Sequence, residues 1–243
     1  MIRLFHVSDL HFGCEDRDAL DWFADNVRSE RPDAVAVTGD LTMRARRSEF
    51  ASAARWLEEL AVPLTIEPGN HDLPWNPLTR LLRPYRRFHK LERALERPID
   101  LGHVRIVPLK STARVQARLN WSWGFVGRSS LEAALDELGA LAKHEVGIVA
   151  THHPLIDQNA LASQGRTLRG PKAAARLAKA GARLILSGHV HDPFDAVVES
   201  EGGPIRMVGA GTLSQRTRDT PASFNRIMIS GDSIEVDLRR MSG

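Results

Sequence analysis

The sequence is poor in cysteine: Cys14 stands alone among 243 residues. No intrachain disulfide can form, so burial must hold the fold, which a chain of this length can achieve. A single thiol fits a reducing compartment. A long apolar run is also missing. No segment approaches the roughly 18 residues that suggest a membrane span. Between Met1 and Asp9, charge and turn residues arrive too early for a secretory apolar region. A soluble, cytoplasmic protein is therefore the expectation. Nor does charge of one sign dominate. The 33 Lys and Arg against 30 Asp and Glu leave +3 with neutral histidines. That balance does not call for a nucleic-acid polymer as partner. No repeat, low-complexity tract or linker stands out, so one domain over residues 1–243 is the simplest reading. What the sequence does have is histidine, ten in all. Imidazole is both a metal ligand and a proton carrier.

Strand-like and helix-like segments alternate through the first half. Ile2 to Val7 is an apolar run ending in Ser8-Asp9. Leu20, Phe23, Ala24 and Val27 then mark one helical face. Ala34 to Val37 is a compact strand ending in Thr38-Gly39-Asp40, and Phe50, Ala54, Leu57 and Ala61 mark a second helix. Val62 to Glu67 is a third strand, ending in Pro68-Gly69-Asn70-His71-Asp72. Strands alternating with helices imply parallel βαβ units in a layered α/β domain. Residues 73–98 break the rhythm with a basic, amphipathic stretch that looks like a helical cap. Further on, Val104 to Leu109, Trp121 to Val126 and Val146 to Ala150 read as strands. Ser129 with Glu132 forms a capping-box pattern before a helix. Leu184 to Leu186 is a strand ending in Ser187-Gly188-His189-Val190-His191. The tail is rich in strands, joined by turns at Glu201-Gly202-Gly203 and Gly231-Asp232.

Five polar clusters sit at strand ends: Asp9-Leu10-His11, Gly39-Asp40, Gly69-Asn70-His71-Asp72, His152, and Gly188-His189-Val190-His191. In parallel sheets ligands bind at the carboxyl ends of strands. Each cluster alone is as easily a turn or a surface histidine. All five in order at strand ends are not a chance pattern. Carboxylate, imidazole and amide oxygen together suit Mn, Fe or Zn. In a loop, Asp-x-His can aim two side chains at one ion, and His-x-His can serve two neighbouring ions.

With these motifs the sequence resembles the calcineurin-like metallophosphoesterases over nearly its whole length. The resemblance implies an α/β fold: a four-layer αββα sandwich of two mixed sheets flanked by helices, with a dinuclear site at strand carboxyl ends. By motif, Asp9, His11 and His191 would hold one divalent ion, Asn70, His152 and His189 the other, and Asp40 both. His71 would assist the leaving group, with Asp72 orienting it. Two such ions roughly 3.5–4 Å apart lower the pKa of a shared water and clamp an in-line displacement. The implied reaction is attack of a metal-bridging hydroxide on a phosphate diester. Small bacterial members of the cyclic-nucleotide phosphodiesterase type match best in style, so a cyclic nucleotide or simple diester is the expected substrate.

Two other functions stand beside this one. A lipid-linked diester or pyrophosphate hydrolase would share the metal motifs, but such enzymes carry Arg where this chain has His71. A metal-binding scaffold without activity would be expected to lack ligands that are all present here. The stretch from Arg80 to Arg93 reads equally as a solvated face, a substrate-facing cap or a membrane contact. Arg216 or Arg218 can reach substrate phosphate or remain surface charge. His153 and Cys14 read as packed side chains, and Trp121 and Trp123 as core. Oligomeric state is not legible.

Overall fold

The computed structural model describes residues 1–95, 97, 99–113, 122–156 and 167–242. The expected alternation is present at the start of the chain. Strand β1 (Ile2–Val7) leads to helix α1 (Arg17–Glu30), β2 (Ala34–Val37), α2 (Arg47–Glu59) and β3 (Leu64–Ile66). Helix α1 forms because Asp16 caps it, accepting from the amides of Asp18 and Ala19. It buries Leu20, Phe23, Ala24 and Val27. It ends where Arg31 turns left-handed, donating its N–H to Val27, just before Pro32.

Two short helices follow, α3 (Pro77–Leu82) and α4 (Arg86–Leu95), in the segment expected to be a cap. The chain continues through β4 (Val104–Pro108), β5 (Gly124–Phe125), α5 (Arg128–Gly139), β6 (Val146–Ala150) and β7 (Thr167–Leu168). Helix α6 (Gly170–Lys179) and β8 (Ala182–Ser187) come next, then β9 (Phe194–Val198), β10 (Ile205–Gly209), β11 (Ser223–Ser230) and β12 (Ser233–Arg240).

These strands build two five-stranded mixed sheets. One has the order β12-β11-β1-β2-β3, with β1, β2 and β3 parallel and β11 antiparallel to both its neighbours. The other has the order β4-β6-β8-β10-β9, parallel except for β9. Strands β5 and β7 form a small separate pair. Three apolar cores separate the layers. Leu4, Ala36, Ile148, Leu186, Val208 and Ile227 fill the space between the two sheets. Phe5, Phe23, Val35, Phe50, Leu57 and Phe88 pack the first sheet against its helices. Val149, Ile185, Met207, Leu131, Leu138 and Leu177 do the same for the second sheet with α5 and α6. A strand buried on both faces is apolar at successive positions, which is why Ala34–Val37 has no polar residue.

The structure departs from the sequence reading at several boundaries. Helix α2 stops at Glu59, Ala61 lies exposed at φ 52° in the turn toward β3, and Ala53 is buried where Ala54 is only half-buried. The Ser129–Glu132 capping pair does not form. Gly127 is the N-cap of α5, and Glu132 instead receives both Arg176 Nη atoms at 2.8 and 2.9 Å. The strand expected from Trp121 to Val126 is ordered as β5 over Gly124–Phe125 alone among the described residues; Trp121 lies outside them.

Candidate active site

The five clusters converge where the strands of both sheets end. Asp9 and His11 follow β1, Asp40 follows β2, and Asn70, His71 and Asp72 follow β3. His152 follows β6, and His189 and His191 follow β8. Non-glycine residues rarely take positive φ. Among the described residues nine do, and five of those belong to this cluster: Asp9, His11, Asp40, His189 and His191. Left-handed backbone at these positions turns each side chain inward instead of letting it alternate as in a strand. Such strain gathers at functional sites. Two glycines let the loops close up. A Cβ on Gly69 would collide with the amide nitrogen and Oδ1 of Asp40, and one on Gly39 would sit 2.6 Å from His152 Nδ1.

The candidate ligand atoms form four overlapping groups among the described residues, one of which joins His71 to His11 and Asp40. Those of Asp9, His11 and His191 lie within 4.8 Å of one another, as do those of Asp9, Asp40 and His152. A third group joins His152, His153 and His189. Asp40 Oδ2 stands between the halves, 3.7 Å from His11 Nε2 and 3.5 Å from His152 Nε2. Asn70 Oδ1 lies 3.2 Å from that same His152 nitrogen. His189 and His191 face different groups, as a His-x-His loop allows.

The protonation pattern shows what the cluster is built to hold. A carbonyl can only accept, so a ring nitrogen bonded to one must carry the hydrogen. His152 Nδ1 donates to Thr38 O at 2.7 Å and His191 Nδ1 to Arg216 O at 2.8 Å. In the neutral rings this leaves Nε2 as a bare lone pair. Each points at oxygen: His191 Nε2 is 3.1 Å from Asp9 Oδ1, which is buried with no hydrogen-bond partner. Lone pairs facing lone pairs in a buried site are unfavourable unless a proton or a metal ion lies between them. The residues therefore fit divalent ions. His11 is the exception, with a buried, unpartnered Nδ1.

A proton is the alternative to a metal ion at these nitrogens. Burial works against the charged form of Asp40, yet His152, His71 and His11 outweigh it and hold the carboxyl below its ordinary range. Burial likewise opposes charge on His152, but Asp40 and Asp9 push its pKa up to about 9. Without metal, His152 and His191 thus favour the proton that metal binding would displace, whereas burial pushes His11 and His153 down.

His71 faces the cluster from its open side. Its Nδ1 donates to Met43 O at 2.7 Å, and its amide donates to Asp40 Oδ1 at 2.8 Å. Asp72 does not touch the His71 ring, contrary to the expectation. Its carboxylate instead accepts from the amides of Gly69 (2.9 Å), Leu41 (3.2 Å) and Thr42 (2.9 Å) and from the Thr42 hydroxyl (2.9 Å). Asp72 therefore fixes the loop that carries the Met43 carbonyl, one step removed from His71. Burial and the nearby Asp40 push its pKa up to about 7 despite these donors. Arg216 is the residue that sequence spacing left ambiguous. Its Nη1 reaches His11 Nε2 and His71 Nε2, both at 3.3 Å, whereas Arg218 is exposed.

The remaining candidates lie outside this arrangement or at its edge. His153 packs between His152 and His189, with its Nδ1 on Ser111 Oγ at 2.9 Å. Burial, with His189 and His152 alongside, holds it well below its ordinary pKa. Cys14 is half-buried and free. Arg80 is turned inward rather than solvated, and its Nη2 lies 3.4 Å from Ala113 O.

Comparison with known proteins settles the family. The calcineurin-like phosphoesterase family model matches residues 2–193. The chain belongs to that family. Glycerophosphodiester phosphodiesterase GpdQ of Enterobacter lignolyticus (strain SCF1) is 35% identical over 80 residues, 28% of this chain. The match spans 29% of that relative's length. A dimetal phosphatase from Danio rerio shares the fold with a TM-score of 0.70 at 14% identity, covering 98% of this chain and 96% of its own. The purple acid phosphatase PPD1 of yellow lupin (Lupinus luteus) gives 0.67 at 14% identity, over 98% of this chain and 51% of its own.

Proposed function

We propose that this protein is a two-metal phosphodiesterase acting on a cyclic nucleotide or another simple diester. The observation that carries the reading is Asp40, whose one oxygen faces a histidine of each half-site while His71 and Arg216 flank the open side. Asp9, His11 and His191 would hold one ion, Asn70, His152 and His189 the second, and Asp40 both. Mn or Fe suits this donor set, as does Zn, and no thiolate takes part. Such ions, when bound, polarise phosphoryl oxygens and lower the pKa of water.

The chain's own groups do the rest. Met43 O fixes the tautomer and direction of the His71 ring, so Nε2 points at the cluster. From there a protonated His71 would donate to the departing oxygen, a role worth typically 10²–10⁴-fold. Arg216 Nη1 would exchange its two histidine contacts for a charge-assisted bond to a phosphoryl oxygen. A diester carries one negative charge, which suits a single guanidinium at the mouth, and the local likeness to a glycerophosphodiester phosphodiesterase supports the same substrate class. A reducing, cytoplasmic setting is part of this reading, supported by the single cysteine.

The test is a panel of cyclic nucleotides, glycerophosphodiesters, nucleotide–lipid pyrophosphates and monoesters at fixed manganese. The reading expects simple diesters to be cleaved fastest. A preference for monoesters would overturn it.

A further inference from the structure

Single exposed apolar side chains are ordinary, but a contiguous exposed patch marks a contact surface. The large exposed apolar residues described are Met1, Trp75, Leu78, Leu81, Leu82 and Val197. Four of the six fall between Trp75 and Leu82. Leu78, Leu81 and Leu82 lie within about 100° of one another around the α3 axis, and Trp75 comes just before its N-cap Asn76. Trp75 is 65% exposed and Leu82 67%.

Cations surround this ridge. From Leu73 to Leu91 the sequence has no acidic residue. Arg83, Arg86 and Lys90 are exposed. Together with Arg47 and Arg87 they line a groove of about 500 Å³ between α2 and α4, on an apolar floor that includes Phe50 and Leu91. The Arg44 guanidinium stands 5.9 Å from the Trp75 ring centre. Among the described residues, no acidic side chain lines the groove.

We propose that this face docks on an anionic phospholipid surface, with Trp75, Leu78 and Leu82 entering the headgroup boundary and the surrounding arginines and Lys90 meeting lipid phosphates. Exposed Trp and Leu with Lys and Arg close by is the chemistry of a segment that binds at a membrane interface. Each cation near such a surface adds roughly fivefold to binding. A second copy of this chain is a poor occupant, because a symmetric contact would set cation against cation. Helix α3 also borders a larger cavity of about 1070 Å³, lined by Leu81 and by Pro68 beside the Asn70 turn. Docking would thus hold that cavity close to the lipid surface. The inference does not depend on the substrate being a lipid.

The experiment is co-sedimentation of the full chain with vesicles of phosphatidylcholine alone or mixed with phosphatidylglycerol. Binding is expected to the mixed vesicles and to fade as salt rises. The double variant Trp75→Ser/Leu82→Ser should lose at least about tenfold in binding, and the charge variant Arg83→Glu/Arg86→Glu/Lys90→Glu about a hundredfold. Both should still hydrolyse bis(p-nitrophenyl) phosphate like the parent. All the changed side chains are exposed, so circular dichroism should be unchanged. Absence of binding to mixed vesicles, or binding indifferent to both variants, overturns the proposal. A dimer in solution that Trp75→Ser dissolves would assign the face to a second copy instead, and overturn it equally.

Discussion

Gly39→Ala places one methyl group where the two halves of the site meet. The added Cβ would stand 2.6 Å from His152 Nδ1 and 2.8 Å from the Gly69 amide nitrogen. Non-bonded heavy atoms settle at about 3.5 Å, so the imidazole would have to retreat by roughly 0.9 Å. Retreat breaks the 2.7 Å bond to Thr38 O and carries Nε2 away from Asn70 and Asp40. The backbone adds its own cost, since φ is +94° at Gly39. Strain of that kind costs about 1–3 kcal/mol, and overpacking a further ~1–3 kcal/mol. Displacement of this size at a reacting centre is worth about a hundredfold in rate. The variant is therefore expected to be less stable by roughly 2–6 kcal/mol in urea. It should bind the second ion weakly and turn over about a hundredfold more slowly. Denaturation, metal analysis and steady-state kinetics read the three effects. Gly139→Ala is the control, because nothing beyond its chain neighbours and its own helix backbone lies within 4 Å of its Cβ position. A Gly39→Ala protein with full metal content and parental turnover would refute the geometry.

Further outcomes follow from other contacts. His71→Ala should keep its metal yet lose about 10²–10⁴-fold on an alkyl diester, and least on a nitrophenyl ester, whose leaving group needs no proton. Equal losses on both would remove His71 from leaving-group chemistry. Arg216→Ala should lower kcat/KM by about tenfold to a hundredfold, the worth of a charge-assisted hydrogen bond. Exposed Arg218→Ala should change little, and equal effects would contradict the placement of Arg216. Burial, only partly offset by Asp9, pushes His6 down to a pKa of about 3. Its Nδ1 accepts from Asn225 Nδ2, so a proton there would oppose a donor. Between pH 6.5 and 3 the unfolded chain therefore binds more protons at this position, and stability falls as pH falls. Asp72, pushed up to about 7, acts oppositely between that value and its unfolded pKa. The informative quantity is thus the difference between metal-free parent and His6→Asn. The parent should lose about 2 kcal/mol more from pH 6.5 to 5. Parallel profiles would count against a neutral buried His6.

The layers and most elements were legible because apolar periodicity and glycine-bounded turns are written in side chains. Ala34–Val37 and Leu184–Leu186 show this directly. The ligand cluster was legible for a related reason: its members follow short apolar runs that are bounded by turn residues and too short for a helix. The orienting groups were not, because they are carbonyls. Every residue has one, so nothing in Thr38, Met43 or Arg216 marks its oxygen as the acceptor for a particular imidazole. The left-handed backbone at Asp9, His11 and Asp40 was equally hidden, since these residue types favour it more than others but adopt it at few of their positions. Arg216 and Arg218 lie two apart in a loop without periodicity, so spacing could not choose between them. Asp72 acts on His71 only through Thr42 and the Met43 loop, a connection that its place in the motif does not reveal.

The central claim is that one carboxylate, Asp40, serves two ions. Metal analysis of the purified chain after saturation with manganese and removal of excess tests it most directly. The account predicts two equivalents per chain for the parent and near-complete loss of both in Asp40→Ala. A parent that holds at most one ion, or an Asp40→Ala protein that keeps two, would contradict it.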